Sequence, residues 1–264
     1  MRSDSASDVS VSPARRWPLW LWLVRHGQSA GNVAHERAYE AAADRIFIEA
    51  ERDVDVPLSD RGWEQARAAG AYFSALDIAE RPNVVLTSPY LRARVTADAI
   101  VQAGGVTPGE ICNRTDERLR EREFGILDRL TGQGIRNLHP EQAAFRAALG
   151  KFYHRPPGGE SWCDVILRLR SALDTISLHH AGERVLIVAH EVVVLCLRYL
   201  LEDLSEAELL AIDAAGDVAN CAVTAYVFDE RLGKLRLERF NDIAHLERID
   251  APVTTAPDAP VAPR

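Results

Sequence analysis

Leu19-Trp-Leu-Trp-Leu-Val-Arg-His-Gly-Gln-Ser29 is the stretch on which the reading of this chain turns. Its apolar half has no polar alternation, as expected of a strand buried on both faces. The strand then stops on a cation and an imidazole. Ligands of open α/β sheets sit beyond the carboxyl ends of strands, so Arg25 and His26 arrive where chemistry is expected. The arginine charge disfavours protonation of the imidazole beside it, which keeps a ring nitrogen available for attack. Arg15 and Arg16 precede the segment Trp17–Val24, giving it the charge order of a signal-peptide core. No small-residue cleavage site follows, however, and cleavage there would remove or free the Arg-His pair. The run is also far short of the ~20 residues of a membrane-spanning helix. A buried strand in a cytoplasmic protein is the expectation, with no membrane partner.

Further strands are expected at 83–87, 185–189, 221–228 and 234–239, all apolar and β-branched and fitting a sheet covered on both sides. Helical segments separate them. Ser59 is placed to cap a helix with Trp63, Ala66, Ala69, Gly70 and Phe73 on its inner face. Ser205 and Glu208 form a capping box for a short helix through Ala211. A helix from Ser161 towards His180 is closed by Gly182, just before the strand at 185. This alternation predicts an α/β fold: a three-layer α/β/α sandwich with a mostly parallel central sheet. The Ser-rich stretch 1–16 reads as a disordered tail and the Pro/Ala/Thr-rich stretch 251–264 as a C-terminal tail, around one catalytic domain over 17–250.

Composition narrows the function. The 264 residues carry a formal net charge of −8, which argues against general nucleic-acid binding. An anionic small substrate is still admissible, because screening over ~8–10 Å lets a few arginines in a cleft decide local affinity. Cys112, Cys163, Cys196 and Cys221 are scattered without a Cys-x-x-Cys pair, as expected of reduced thiols rather than a disulfide frame or a zinc site. Nothing in the sequence indicates an oligomeric state.

Four more groups stand at or just past strand ends. Thr87-Ser-Pro-Tyr-Leu-Arg-Ala93 follows the second strand, and Pro89 starts a helix that aims Arg92 back at the sheet edge. His190 ends the strand at 185–189. Arg118-Leu-Arg-Glu-Arg-Glu-Phe-Gly125 supplies Glu121, and Asn32 opens the helix after Gly31. Arginine forks match phosphate oxygens two at a time. A histidine nitrogen can accept a phosphoryl group and pass it to water, dividing one hard displacement into two. A carboxyl of raised pKa, such as Glu121, can protonate the departing alkoxide, worth typically ~10²–10⁴ in rate. With arginines stabilising the charge, neither metal nor other cofactor is required.

Leu23-Val-Arg-His-Gly-Gln-Ser29, Pro57-Leu-Ser-Asp-Arg-Gly62, Thr87-Ser-Pro-Tyr-Leu-Arg-Ala93 and Val188-Ala-His190 resemble the signature blocks of the histidine phosphatase superfamily, in the family's order. That family includes cofactor-dependent phosphoglycerate mutases and fructose-2,6-bisphosphatases. The resemblance implies a three-layer α/β/α fold and a phosphorylated nucleophile at His26. It further implies phosphoryl-oxygen contacts from Arg25, Asn32, Arg92 and His190, and a proton donor at Glu121. Pro156-Pro-Gly-Gly-Glu-Ser161 and Ala189-His-Glu-Val-Val-Val194 are similar to the bisphosphatase branch. Mutases usually have a longer insertion before this block and a glycine after the second histidine, where this chain has Glu191. Gly158 replaces the bisphosphatase lysine, which speaks against a sugar bisphosphate.

The expected activity is a metal-independent phosphomonoester hydrolase acting through phosphohistidine on a small phosphorylated metabolite. A mutase, a phospho-ligand-binding module without turnover, and a phosphoprotein phosphatase are the alternatives. Two positions stay open: Glu123 shares a face with Glu121 if the segment is extended, and Arg155 is either a contact for a second anionic group or a solvated loop arginine. Arg120 and Arg122 are expected to be solvated or paired with acids, and the remaining histidines structural or exposed. His190-Glu191 is not a zinc motif, since Val194 fills the second ligand position, and Gly132-Gln-Gly134 lacks a third glycine.

Overall fold

In the computed structural model, which describes residues 16–107, 112–248, 251 and 253–255, the stretch quoted above becomes the strand β1 (Trp20–Arg25). It lies inside one sheet with β2 (Val84–Thr87), β3 (Cys112–Thr115), β4 (Arg184–Ala189), β5 (Val223–Asp229) and β6 (Lys234–Asp242). The order is β3-β2-β4-β1-β5-β6. The first four strands of that order are mutually parallel, and β5 and β6 are antiparallel additions. Register places the chemistry. Arg25 pairs with Ala189 and Thr87 with Val188, so His26, His190 and Ser88, each next in its chain, emerge together.

The helices are α1 (Ala30–Glu40), α2 (Asp60–Ser74), α3 (Leu91–Gln102), α4 (Gly132–Leu138), α5 (Pro140–Tyr153), α6 (Trp162–His179), α7 (Glu191–Leu201), α8 (Glu206–Ala215) and the short α9 (Ala244–Glu247). Strand periodicity divides β1 between two cores. Leu21 and Leu23 join Leu86, Ile187 and the apolar faces of α6 and α7. Trp22 and Val24 join Val85, Leu186, Val188 and the inner faces of α2 and α3. Both faces of the parallel strands are therefore covered, and the three-layer α/β architecture expected from the sequence is the observed one. The caps agree as well: Ser59, Ser161 and Ser205 start α2, α6 and α8, the last two with full capping boxes.

Several expectations need correction. Strand β3 was not anticipated, because Cys-Asn-Arg-Thr is polar and sits at an exposed sheet edge where burial imposes no apolar pattern. The strand expected from 221 begins at Val223, since Cys221 takes a left-handed conformation (φ 57°). β6 is the opposite edge and mostly faces solvent, so it is not buried on both sides. Trp63, placed on the inner face of α2, is 39% exposed with Arg67 over its ring, while Ala66, Ala69, Gly70 and Phe73 are buried. Helix α8 continues past Ala211 to Ala215. Arg122 is buried rather than solvated and donates to the backbone carbonyls of Glu160 and His154.

The four cysteines are free: Cys196 and Cys221 are buried, Cys112 and Cys163 half-buried. Of the ends expected to be tails, 1–15, 252 and 256–264 lie outside the described residues. Thr254 is tied into the fold. Its carbonyl accepts from the Asn220 N–H (2.9 Å), and its hydroxyl joins Gln65 and Asn220 (2.8 and 2.9 Å). Among the described residues no helix is long and apolar enough to cross a membrane.

Candidate active site

Three helices begin where the central strands end. α1 follows β1, α3 follows β2 and α7 follows β4, so their N-terminal backbone dipoles converge on the sheet edge that receives His26, Ser88 and His190. Backbone bonds lock these strand ends: His26 N–H donates to Ala189 O and Ser88 N–H to Val188 O, both at 3.0 Å. Behind His26, Asn220 Nδ2 donates to its carbonyl (3.0 Å). The next two peptides are held by Thr96, which accepts from Gly27 N–H (3.1 Å), and by Gln65, which accepts from Gln28 N–H (2.8 Å).

The block Pro57–Gly62 acts on the same turn. Ser59 caps α2 and donates to Gln28 Oε1 (2.7 Å). Gly62 lies against the Gln28 backbone and Gly27 against Gly62, so closely that a Cβ at either would collide with the facing carbonyl. Two glycines thus let the start of α2 clamp the turn that carries His26.

His26 is fully buried. Its Nδ1 donates to the Gly27 carbonyl (2.7 Å) and its Nε2 accepts from Arg92 Nε (3.3 Å). The two bonds agree on one tautomer, proton on Nδ1 and lone pair on Nε2. Arg92, in the first turn of α3, is 3% exposed. Its other two nitrogens grip Asp53: Nη1 bonds the backbone carbonyl (2.8 Å) and Oδ1, and Nη2 bonds Oδ2, both carboxylate contacts at 3.1 Å. Arg25 is also fully buried; its Nη1 donates to Val218 O (2.5 Å) and lies 3.6 Å from Glu191 Oε2. Glu191 Oε1 in turn accepts from Val218 N–H (3.1 Å).

His190, the N-cap of α7, meets Ser88 Oγ through Nε2 (2.7 Å). Its Nδ1 lies 3.7 Å from Glu121 Oε2, and its ring packs edge-on against both His26 and Tyr90, with centroids 5.1 Å apart in each case. Asn32 is the third residue of α1, where its Oδ1 accepts from the Ser29 N–H (2.8 Å) and hydroxyl (3.0 Å). Its carbonyl end is thereby committed to the cap.

The two open positions separate by environment. Glu121 is buried against His190, its Oε1 accepting from the Arg122 N–H (2.7 Å). Glu123 is half exposed and accepts from the Tyr90 hydroxyl (3.0 Å), with Arg120 at 3.8 Å. Burial, reinforced by Glu123, pushes the Tyr90 phenol upward, so it stays protonated as a donor. Burial likewise lowers Arg122 to about 10. Arg155 is not brought to the group: its side chain is 62% exposed and forks onto the Asp164 carboxylate. His26, His190, Arg25, Arg92, Asn32 and Glu121 gather at one sheet edge.

Sequence reasoning passed over Ser88, Thr96, Asn220 and Asp53, and took Glu191 only as a branch marker. Ser88 alone had a signal, its position directly after a strand end. The others come from loops and helices whose approach depends on tertiary packing. Among the described residues no group of three or more His, Cys, Asp or Glu side chains could hold a metal ion.

The sequence profile of the histidine phosphatase superfamily (branch 1) matches residues 21–243. The chain is 33% identical over 181 residues to the probable phosphoglycerate mutase GpmB of Serratia proteamaculans, covering 68% of this chain and 73% of that protein. It is 28% identical over 229 residues to a bifunctional protein of Mycobacterium tuberculosis, covering 86% of this chain and 56% of the other, so it spans about half the length of that relative. A mycobacterial glucosyl-3-phosphoglycerate phosphatase, solved in complex with VO3, superposes with a TM-score of 0.63 at 26% identity, covering 84% of this chain and 98% of that one.

Proposed function

Since this chain belongs to the histidine phosphatase superfamily, branch 1, we propose that it is a phosphomonoester hydrolase that works through phosphohistidine at His26. The observation that carries this reading is the pair of contacts of the His26 ring, Nδ1 on the Gly27 carbonyl and Nε2 against the Arg92 guanidinium, which leave a lone pair on Nε2. In the first step Nε2 attacks phosphorus in line, the N–P bond forms and the ester P–O bond breaks. Glu121, protonated, gives its proton to the departing alkoxide. In the second step Glu121 takes a proton from water as it attacks the phosphohistidine, releasing inorganic phosphate and restoring His26. Arg25, Arg92, Asn32 and His190 hold the phosphoryl oxygens through both steps, and the converging helix N-termini add to the field. No step requires a metal.

Choosing Glu121 over Glu123 rests on its burial beside His190. Binding a second anionic group through Arg155 would require it to leave Asp164. A small phosphorylated metabolite as substrate and a cytoplasmic setting belong to the same proposal, the latter on the scattered free cysteines.

Rapid quenching of the enzyme with a ³²P-labelled phosphoester tests it. An acid-labile, base-stable phosphoprotein in wild type and none in His26→Ala is the expected result. Turnover with no trapped phosphoprotein, or label retained in His26→Ala, would contradict it. Likeness to GpmB keeps a mutase as the second reading. A mutase would depend on a bisphosphorylated primer and release little net phosphate.

A further inference from the structure

Each of the two buried arginines proposed to hold the phosphoryl group has a carboxylate of its own, and the two carboxylates differ in kind. Glu191 is buried, fixed by the Val218 N–H and set behind Arg25. Asp53 is 40% exposed while its partner Arg92 is 3% exposed, so the Asp53 carboxylate is a layer between that guanidinium and solvent. It belongs to a single 3₁₀ turn, Asp53–Asp55, in the connection between α1 and α2. Arg129 braces that connection by donating to the carbonyls of Ala50 (2.7 Å) and Glu51 (2.9 Å).

A phosphoryl group attacked by His26 Nε2 must lie on the Nε edge of Arg92, because Nε is already 3.3 Å from the attacking nitrogen. A guanidinium offers oxygens its Nε and Nη2 hydrogens as one fork. Nη2 is bonded to Asp53 Oδ2, so substrate and Asp53 compete for it. Two cations beside this turn are engaged elsewhere: Arg52 on Asp55, on which Arg94 also acts, and Arg129 on backbone carbonyls.

We propose that Asp53 is a specificity-determining residue of the phosphoryl site: its carboxylate holds the Nη2 arm of the Arg92 fork until a phosphoryl group displaces it, and it then stands against substrates whose alcohol portion carries a second anion. The preferred substrates are phosphoesters of neutral or cationic alcohols. This rests on the phosphoryl-binding role of Arg92 proposed above.

The test is calorimetric titration of the full chain, wild type beside Asp53→Asn and Asp53→Ala, with inorganic phosphate and two non-hydrolysable probes, methylphosphonate and phosphonoacetate. Both variants are expected to bind phosphate roughly tenfold more tightly, ~1.4 kcal/mol, with a larger gain for phosphonoacetate than for methylphosphonate. Equal or weaker phosphate binding by both variants would overturn the proposal and make Asp53 a support that orients Arg92. Equal gains for the two phosphonates would overturn the specificity role. Absence of phosphate binding in every protein, wild type included, would remove the phosphoryl-site assignment itself.

Discussion

The Nδ1 proton of His26 is engaged by the Gly27 carbonyl at 2.7 Å, and the ring nitrogen left over faces Arg92. At this scale Glu121 has a separable role, because a proton donor matters only when the leaving group needs one. Glu121→Gln is therefore expected to slow hydrolysis of alkyl phosphates by ~10²-fold or more while slowing aryl phosphates with good leaving groups far less. Steady-state rates on both substrate classes check this, and equal losses would remove Glu121 from the acid role. Ser88 bonds His190 Nε2, and under the proposed mechanism it positions that ring. Ser88→Ala leaves that buried nitrogen without its hydroxyl, a cost of about 1–3 kcal/mol. A fall of about tenfold in kcat/KM is expected, partly restored in Ser88→Thr; no rescue by threonine would reduce Ser88 to packing. His26, His190, Arg25 and Arg92 were legible in the sequence because each stands at a strand end or a first helical turn, where backbone direction alone aims the side chain. Asp53 was not, since an acid in an acidic connection looks solvated until the fold lays it on Arg92.

Among the elements, α6 offers the clearest link between sequence and stability. Its capping box, Ser161 with Asp164, is reinforced by Arg155 on the same carboxylate. The Arg155 hydrogen bond is the main cause holding Asp164 down at about 2, against an ordinary 3.8. A carboxylate whose folded pKa is depressed contributes stability that is present above its unfolded value and lost as pH falls through the folded one. Asp164→Ala should thus lower Tm at pH 7, by about 2–4 °C per kcal/mol for a chain of this size, and the gap should close between pH 4 and pH 2. Thermal unfolding at both ends of that window checks it; a gap independent of pH would assign the effect to helix propensity alone. The buried parallel strands β1, β2 and β4 were legible because burial on two faces demands continuous apolar runs. The edges were not: β3 is polar and β6 mostly solvated, so neither had to show the pattern that reveals a strand.

Across the whole molecule, the signature blocks have different tasks. The first, third and fourth supply the side chains proposed to react and to bind, at the ends of β1, β2 and β4. The second, Pro57–Gly62, and the distant Asn220 and Thr254 hold the turn that carries His26. That division could not be read from the blocks themselves, because a clamp and a catalyst both appear as fixed polar and glycine positions. Under the proposed mechanism His26 is the one group for which no neighbour can substitute. Phosphate release from p-nitrophenyl phosphate with EDTA present, wild type beside His26→Ala, tests this most directly. Release by wild type and none by His26→Ala is the predicted result; equal release by both proteins, or release by wild type that EDTA abolishes, would contradict it.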